Sequence, residues 1–227
     1  MMAKRRPAGP RRWTLAEVYA RLFAAFGPQH WWPAQSPFEV MVGAILTQNT
    51  AWQNVERAIA NLRARDRLDA ARISATRRDH LAAWLRPSGY FNIKAARLHN
   101  FCRWYLDSGG YAALARHDTA ALRAALLGVN GIGPETADDI LLYAFTRPVF
   151  VIDAYTRRLL ARLGLYRGDE PYEDLRLAIE TVLGPDTDLY GEYHALIVRH
   201  AKQHCRVRPL CAGCVLRGAC PAALPAS

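Results

Sequence analysis

Two glycines, Gly131 and Gly133, lie between two apolar helical stretches and constrain the fold of this chain more than any other feature. Ile132 separates them, and Pro134 follows, which favours the first turn of a new helix. Glycine lets the backbone take positive φ and approach a neighbouring group closely. The pattern predicts two helices joined by a tight turn over about 119–145, with backbone N–H groups of the turn offered to a phosphate. An ordinary corner between packed helices is the alternative.

Signals that start helices recur along the whole chain, whereas a strand pattern does not. Four capping-box patterns begin at Thr14, Ser36, Thr50 and Thr76. Amphipathic patterns predict further helices at about 93–105, 154–163, 171–183 and 188–203. The apolar run 149–152 is the one strand candidate, and it is short. The sequence therefore predicts an all-α protein.

The charge of the chain indicates an anionic polymer as partner. The 227 residues carry a net charge of +10, and lysine occurs only at Lys4, Lys94 and Lys202. Nearly all the positive charge is therefore arginine, which binds phosphate through paired hydrogen bonds. A genome rich in arginine codons explains the ratio of arginine to lysine, but not the excess of positive over negative charge. We predict a nucleic-acid partner.

The hydropathy pattern predicts no membrane partner. No apolar run approaches the length of a membrane span, and no signal-peptide pattern is present. These features predict a cytoplasmic protein, associated with the nucleoid if it binds DNA. Residues 1–12 lack an apolar period and are predicted to form a basic, disordered arm.

Four of the five cysteines crowd into sixteen C-terminal residues: Cys205, Cys211, Cys214 and Cys220. In a cytoplasmic protein such a group is more often a metal site than a pair of disulfides. Zinc and iron–sulfur clusters both accept four thiolates. His194, His200 and His204 lie nearby but are not needed as ligands. Cys102 stands alone in an apolar helix and is predicted to be a buried small hydrophobe.

Several blocks of this sequence resemble one family. Gly131–Ala137, Tyr143–Phe145 and Val151–Asp153 look like the helix-hairpin-helix/Gly-Pro-Asp superfamily of DNA glycosylases, and within it endonuclease III. The resemblance runs from about Trp13 to Cys220 and includes Leu46–Thr50, Gly89–Ala95 and the four cysteines. It implies two helical lobes: 37–147, which contains the hairpin at 119–145, and 13–36 together with 148–222, which holds a 4Fe–4S cluster. The gap from Cys205 to Cys211 is one residue shorter than in endonuclease III, so zinc is the second choice.

The resemblance implies the catalytic residues. Asp153 matches the family's catalytic aspartate, and a fixed carboxylate in a water-poor site stabilises the positive charge that builds on the sugar as the base leaves. Its alternative role is that of an N-cap, for which aspartate is preferred. Glu135 occupies the position of the lysine with which bifunctional members cleave the strand. A carboxylate cannot form a Schiff base, so we predict a monofunctional enzyme; the alternative is an acid that merely suits a helix start.

The resemblance also implies how a base is extruded and held. Gln48 would fill the vacated stack, and Tyr90, followed by Asn92 in the same loop, would wedge the opposite strand. A second set of residues is similar to the branch that removes 3-methyladenine and would line the base pocket: Trp31, Trp32, Pro33 and Trp52. N-alkylated purines are cationic, and indole faces attract cations. Solvated or core positions are the alternative for each of these residues.

The sequence thus predicts a DNA N-glycosylase that flips and excises a damaged base, most specifically an alkylated purine, from double-stranded DNA. The chain is predicted to act as a monomer. A second hypothesis is an endonuclease III-type enzyme for oxidised pyrimidines with weak AP-lyase activity. A third is a damaged-DNA-binding protein without catalysis.

Overall fold

The computed structural model describes residues 13–225, so the predicted arm at 1–12 lies outside the described residues. Within 13–225 every regular element is helical, and the run 149–152 has no regular secondary structure. The all-α prediction is confirmed. The chain divides into two compact units: the first takes its described residues from Met1–Trp31 and Phe150–Ser227, and the second consists of Trp32–Val149.

The helices follow one another through short connections. In chain order they are α1 (Leu15–Phe26), α2 (Pro37–Leu46), α3 (Trp52–Arg63), α4 (Ala70–Ala75), α5 (Arg78–Leu85), α6 (Phe91–Asp107), α7 (Gly110–Leu114), α8 (Thr119–Leu127), α9 (Pro134–Asp139), α10 (Ala154–Arg162), α11 (Tyr172–Leu183) and α12 (Thr187–Gln203). Short 3₁₀ turns occupy Arg86–Ser88 and Arg217–Ala219, and a π-helical turn occupies Ile140–Ala144.

Two of the four predicted capping signals form as expected. Thr14 and Glu17 make a complete capping box at the start of α1, and the Ser36 side chain accepts from the backbone N–H of Glu39 at the start of α2. The signals at Thr50 and Thr76 are wrong. Helices α3 and α5 begin one residue later, after Ala51 and Arg77, and neither start has a side-chain cap. Their buried faces, rather than capping, stabilise these helices.

The second unit is built around α2, which is apolar except for Glu39. Every residue from Glu39 to Leu46 is buried, so α2 has no solvent-facing side after its first turn. Helices α3, α6 and α9 and the π turn pack around it, and their apolar residues join its core. Such a helix, hydrophobic all round, must lie at the centre of its unit.

The helix predicted at 134–145 changes geometry halfway. The α-helical hydrogen bonds of α9 give way at Ile140 to a π turn, in which the Phe145 N–H donates to the Ile140 carbonyl at 3.2 Å. The widened turn inserts one extra residue into the helix, as π turns near functional sites do. Tyr143 lies on this turn.

The first unit joins distant parts of the chain. The Trp13 indole N–H donates to the Leu216 carbonyl at 3.1 Å, and the Tyr193 hydroxyl donates to the Leu15 carbonyl at 2.9 Å. Helix α12 supplies much of the buried interior. Among the helices of residues 13–225, none combines the length and apolar character needed to cross a membrane.

Candidate functional site

The turn between α8 and α9 has the geometry that its glycines predict. Gly131 has φ of +100°, a conformation that favours glycine. Gly133 is exposed at the N-cap of α9, and a Cβ atom added there would meet nothing within 4 Å. The Ile132 side chain is buried in the core of the second unit, so it anchors the turn and leaves only its backbone to a ligand.

The two predicted gap-filling residues lie in the same unit as this turn. Gln48 is half-buried, and its side-chain amide donates to the Thr136 hydroxyl at 2.9 Å and to the Gly131 carbonyl at 3.2 Å. Tyr90 caps α6 in a left-handed conformation, with φ of 45°, and is 66% exposed. A large ring held out in a strained backbone conformation is unusual for a surface residue. Asn92 is exposed on the first turn of α6.

Lys94 connects the segments that carry Gln48 and Tyr90. Its side chain is only 1% exposed, and its ammonium group donates to the Leu46 carbonyl at 2.8 Å and to the Ser88 carbonyl at 2.6 Å. Burial, together with the nearby Arg97, lowers the pKa of Lys94 to about 8. A lysine held in this way stabilises two loops and is not available as a nucleophile to replace the family's lysine.

We expect Lys94→Met to lower the free energy of unfolding by about 1–3 kcal/mol, because two buried carbonyls lose their donor. The pKa of Lys94 is about 8 in the native state, against 10.5 for a lysine side chain in water, so between these values the unfolded chain binds the extra proton. Wild-type stability should therefore rise relative to the variant between pH 8 and 10.5. Urea denaturation across this range measures the difference. The exposed Lys202→Met is the control, and a gap between wild type and Lys94→Met that shrinks with pH would contradict the assignment.

Asp153 is buried at the start of α10. Its Oδ1 accepts from the Thr156 backbone N–H at 2.6 Å, so it is the N-cap that the sequence allows. Its Oδ2 lies 3.5 Å from His194 Nε2 on α12. Burial by itself raises the pKa of Asp153, but His194 and the Thr156 N–H outweigh burial and hold that pKa below its usual value. The cap role and a buried, ionised carboxylate occur together.

Glu135 is exposed on the first turn of α9, beside the hairpin glycines. Asp138, on the same helix, is instead fully buried, and Arg123 binds it through two hydrogen bonds of 2.6 and 3.1 Å. The Arg123–Asp138 pair ties α8 to α9 and stabilises the hairpin from behind. Glu135 therefore lies on the solvent side of a rigid turn.

Two of the four predicted pocket residues are in contact. Trp32 packs edge-on against Trp52, with ring centroids 5.0 Å apart, and lies 5.2 Å from the Tyr143 ring on the π turn. Gly43 on α2 makes room for them, because a Cβ there would approach Trp32 to 3.2 Å and Trp52 to 3.4 Å. Trp31 belongs to the first unit.

Pro33 and Trp52 line an open cavity of about 490 Å³ in the second unit. Glu39, Glu56 and Arg63 contribute its charges. Arg63 binds Glu39 at 2.7 Å and so compensates that carboxylate, whereas Glu56 accepts from the Trp52 indole N–H at 2.9 Å. The lining of the cavity therefore combines the Trp52 indole ring with a net negative charge, which is that of the Glu56 carboxylate.

The four C-terminal cysteines line one cavity, together with His200 and Leu216. Burial, and then the other three thiols, raises the pKa of Cys214, and crowded thiols of this kind ionise when a cation binds them. The donor set fits a group that takes four thiolates. The residue types are therefore right for such a group, although no three His, Cys, Asp or Glu side chains in residues 13–225 are arranged so that they could hold a metal ion.

Helix α10 holds this cysteine loop. Arg158 Nε donates to the Cys205 carbonyl at 2.8 Å, and Arg162 donates to Cys205 Sγ at 3.3 Å and to the Val207 carbonyl at 2.9 Å. Cys102 is buried apart from the loop, and burial raises its pKa, as expected of a small hydrophobe. His194 and His200 are core residues of α12.

Sequence reasoning missed three partners of the predicted site residues: His194 beside Asp153, and Arg97 and Thr136 around Gln48. Each lies more than forty residues from the residue it contacts. A local pattern carries no signal for such pairs. For His194, the sequence shows only that it lies in a predicted helix, and the structure shows that its face of α12 is buried.

Comparison with known proteins identifies the family. Residues 42–185 match the family of HhH-GPD superfamily base excision DNA repair proteins. A Methanocaldococcus jannaschii protein that is provisionally named a DNA repair glycosylase is 45% identical over 207 residues, which cover 90% of this chain and 94% of that protein. The chain belongs to the HhH-GPD superfamily of base excision DNA repair proteins.

Two further proteins are similar to this chain in sequence or in structure. Endonuclease III of Sulfolobus acidocaldarius is 29% identical over 190 residues, which cover 81% of each chain. The crystal structure of H. pylori 3-methyladenine DNA glycosylase bound to 1,N6-ethenoadenine is 30% identical, with a TM-score of 0.72, and covers 83% of this chain and 97% of that one. The resemblance to endonuclease III-like glycosylases is confirmed.

Proposed function

We propose that this base-excision-repair DNA glycosylase hydrolyses the N-glycosidic bond of an alkylated, 3-methyladenine-type purine in double-stranded DNA and leaves the strand intact. The buried, ionised Asp153 is the observation that carries the hydrolytic reaction. The contact of Trp32 with Trp52 and Tyr143 supports the choice of base. The exposed Glu135 supports the absence of strand cleavage.

Asp153 supplies negative charge where the sugar becomes positive. As the base leaves with the bonding electron pair, the sugar takes oxocarbenium character, and a preorganised carboxylate stabilises that charge at little reorganisation cost. Water then adds at C1′ and loses a proton, for which the same carboxylate is a suitable acceptor. His194 supports this role, because it keeps Asp153 ionised despite burial.

DNA is gripped and opened by the second unit. The backbone N–H groups of the turn at Gly131 and Gly133 bind a phosphate, which positions the enzyme without reading sequence. Gln48 and Tyr90 then occupy the space that an extruded nucleotide leaves. The enzyme acts as a monomer on duplex DNA that contains a damaged base.

The chemistry of the aromatic cluster, and of the cavity that Trp52 lines, supports this choice of substrate. An N-alkylated purine is cationic, and each indole contact stabilises it by roughly 0.5–2 kcal/mol. The Glu56 carboxylate beside Trp52 attracts the same charge. The H. pylori relative, which bears the name of a 3-methyladenine DNA glycosylase and was crystallised with an ethenoadenine, supports a purine in this site.

A lesion panel tests the substrate. Duplexes with 3-methyladenine, 1,N6-ethenoadenine, thymine glycol or uracil are treated with excess enzyme, and the released bases are separated by chromatography. We expect release of an alkylated purine to be about tenfold faster than release of thymine glycol. Trp52→Ala should lower the rate of alkylated-purine release by about tenfold, because an indole contact with the cationic base is lost. Trp84→Ala on α5, where Trp84 contacts His80, is the matched control. Preferential release of thymine glycol would establish the oxidised-pyrimidine alternative, which the 29% identity to endonuclease III favours.

We also propose that Cys205, Cys211, Cys214 and Cys220 hold a 4Fe–4S cluster, with zinc as the second candidate. The cluster would cross-link the C-terminal loop and present its arginines to phosphates. Analysis of the purified protein for iron, sulfide and zinc decides between the two, and stoichiometric zinc without iron would refute the cluster.

A further inference from the structure

Hydrogen bonds hold the side-chain amide of Gln48 at both its oxygen and its nitrogen. Arg97 Nη1 donates to Gln48 Oε1, while Gln48 Nε2 donates to the Thr136 hydroxyl at 2.9 Å and to the Gly131 carbonyl at 3.2 Å. With both ends bonded, the amide can take only one of its two orientations. Gln48 is thereby attached to the hairpin rather than free in solvent.

Arg97 also packs directly on the hairpin. A Cβ atom at Gly131 would collide with the Arg97 Cγ and lie 3.0 Å from its Cβ. The left-handed glycine thus leaves the space that the Arg97 stem fills, while the guanidinium reaches past it to Gln48. One side chain contacts both the phosphate-binding turn and the gap-filling residue.

Arg97 shares a helix face with Lys94, which precedes it by three residues on α6. Tyr90 is the N-cap residue of the same helix. Lys94 binds the carbonyls of Leu46 and Ser88, which precede Gln48 and Tyr90. The face therefore links the wedge, the Gln48 loop and the hairpin within a single unit.

We propose that Arg97 is a positioning residue that sets Gln48 for entry into the stack and couples that entry to phosphate binding at the hairpin. The idea rests on the gap-filling role proposed above for Gln48. A side chain that is already ordered loses less entropy when it inserts than one that is free. Arg97 acts through Gln48 and need not touch DNA.

Binding to a duplex with a tetrahydrofuran abasic analogue tests this proposal without any lesion or catalysis. The orphan base opposite the analogue is 2-aminopurine, whose fluorescence reports its stacking. The full-length protein, as purified, is titrated against this duplex and against an undamaged one. Arg97→Met keeps the stem that covers Gly131 and removes the guanidinium. The exposed Arg103→Met, on the same helix, is the matched control for lost charge.

We expect Arg97→Met to lower the preference for abasic over undamaged DNA by about tenfold, and to reduce the 2-aminopurine change in proportion. Binding to undamaged DNA should fall no further than in Arg103→Met. Combined with Gln48→Ala, Arg97→Met should add nothing, because both act through one side chain. Thr136→Val, which removes a second anchor of Gln48 without altering α6, should shift the preference in the same direction by twofold to fivefold.

Equal losses on both DNAs, additive with Gln48→Ala, would show that Arg97 is only a phosphate contact and would overturn the proposal. An unchanged preference for abasic DNA in Arg97→Met would also overturn it, because the Arg97 bond would then have no effect on insertion. A stronger preference would overturn it too, because the bond would then restrain Gln48. Thr136→Val decides the question independently if Arg97→Met does not fold. Failure to release any base in the lesion panel would refute the enzymatic function and leave this binding result interpretable.

Discussion

Asp153→Asn is expected to lower the single-turnover rate of base release by about 10²–10³-fold, the usual cost of removing one group that stabilises transition-state charge. Asparagine caps helices as well as aspartate does, so α10 should keep its start and its bond from the Thr156 N–H. The variant loses the negative charge, and with it the attraction to His194. Rapid-quench assays with excess enzyme measure the chemical step, and fluorescence anisotropy measures binding to the same duplex.

Asp186→Asn is the control for this variant. Asp186 caps α12 through the Leu189 N–H at 2.9 Å, in the same way that Asp153 caps α10. It should leave base release unchanged. Release by Asp153→Asn within tenfold of wild type would refute the catalytic role and leave Asp153 as a structural cap. If neither wild type nor variant releases any lesion base while both bind damaged DNA, the chain is a binding protein.

Glu135→Lys is expected to cleave the strand at an abasic site, an activity that we predict to be absent from the native protein. The side chain is exposed on the first turn of α9, so a lysine fits there without repacking. The positive end of the helix dipole favours a neutral amine, which is the form that attacks C1′ and yields a Schiff base with loss of water. Borohydride reduces that imine to a stable adduct, which a denaturing gel detects on abasic DNA.

The native protein and Glu135→Gln should give no adduct above background. Asp174→Lys is the matched control, because Asp174 is an exposed acid on the first turn of α11. An adduct that forms as efficiently with the native protein as with Glu135→Lys would contradict the monofunctional assignment. Such an adduct would show that another amine of the native protein reaches C1′.

Local chemistry accounts for the parts of the fold that were predicted. The Thr14 and Ser36 caps and the Pro134 start each depend on residues within one turn, so the sequence alone specifies them. The same holds for the Gly131 turn, where a positive φ requires glycine. At Thr50 and Thr76 the same pattern failed, because α3 and α5 begin one residue later and neither threonine is the N-cap residue.

Long-range contacts account for what was missed. The His194–Asp153 pair and the Arg97–Gln48 bond depend on how helices pack, which no single stretch encodes. The π turn at Ile140–Ala144 was also missed, since its residues have an ordinary helical pattern. It presents Tyr143 to Trp32, so part of the proposed base site is created by backbone geometry rather than by a recognisable motif.

The first unit is assembled from both sides of the chain, and this has a consequence for biosynthesis. Trp13 and Leu15 bind Leu216 and Tyr193, which the ribosome adds near the end of translation. Trp32–Val149 contains its own core and can fold while synthesis continues. If the proposed roles of the hairpin and Asp153 hold, we expect the second unit to bind DNA before the first unit, with Asp153, is complete. A nascent chain arrested after Val149 should then bind the duplex without releasing a base.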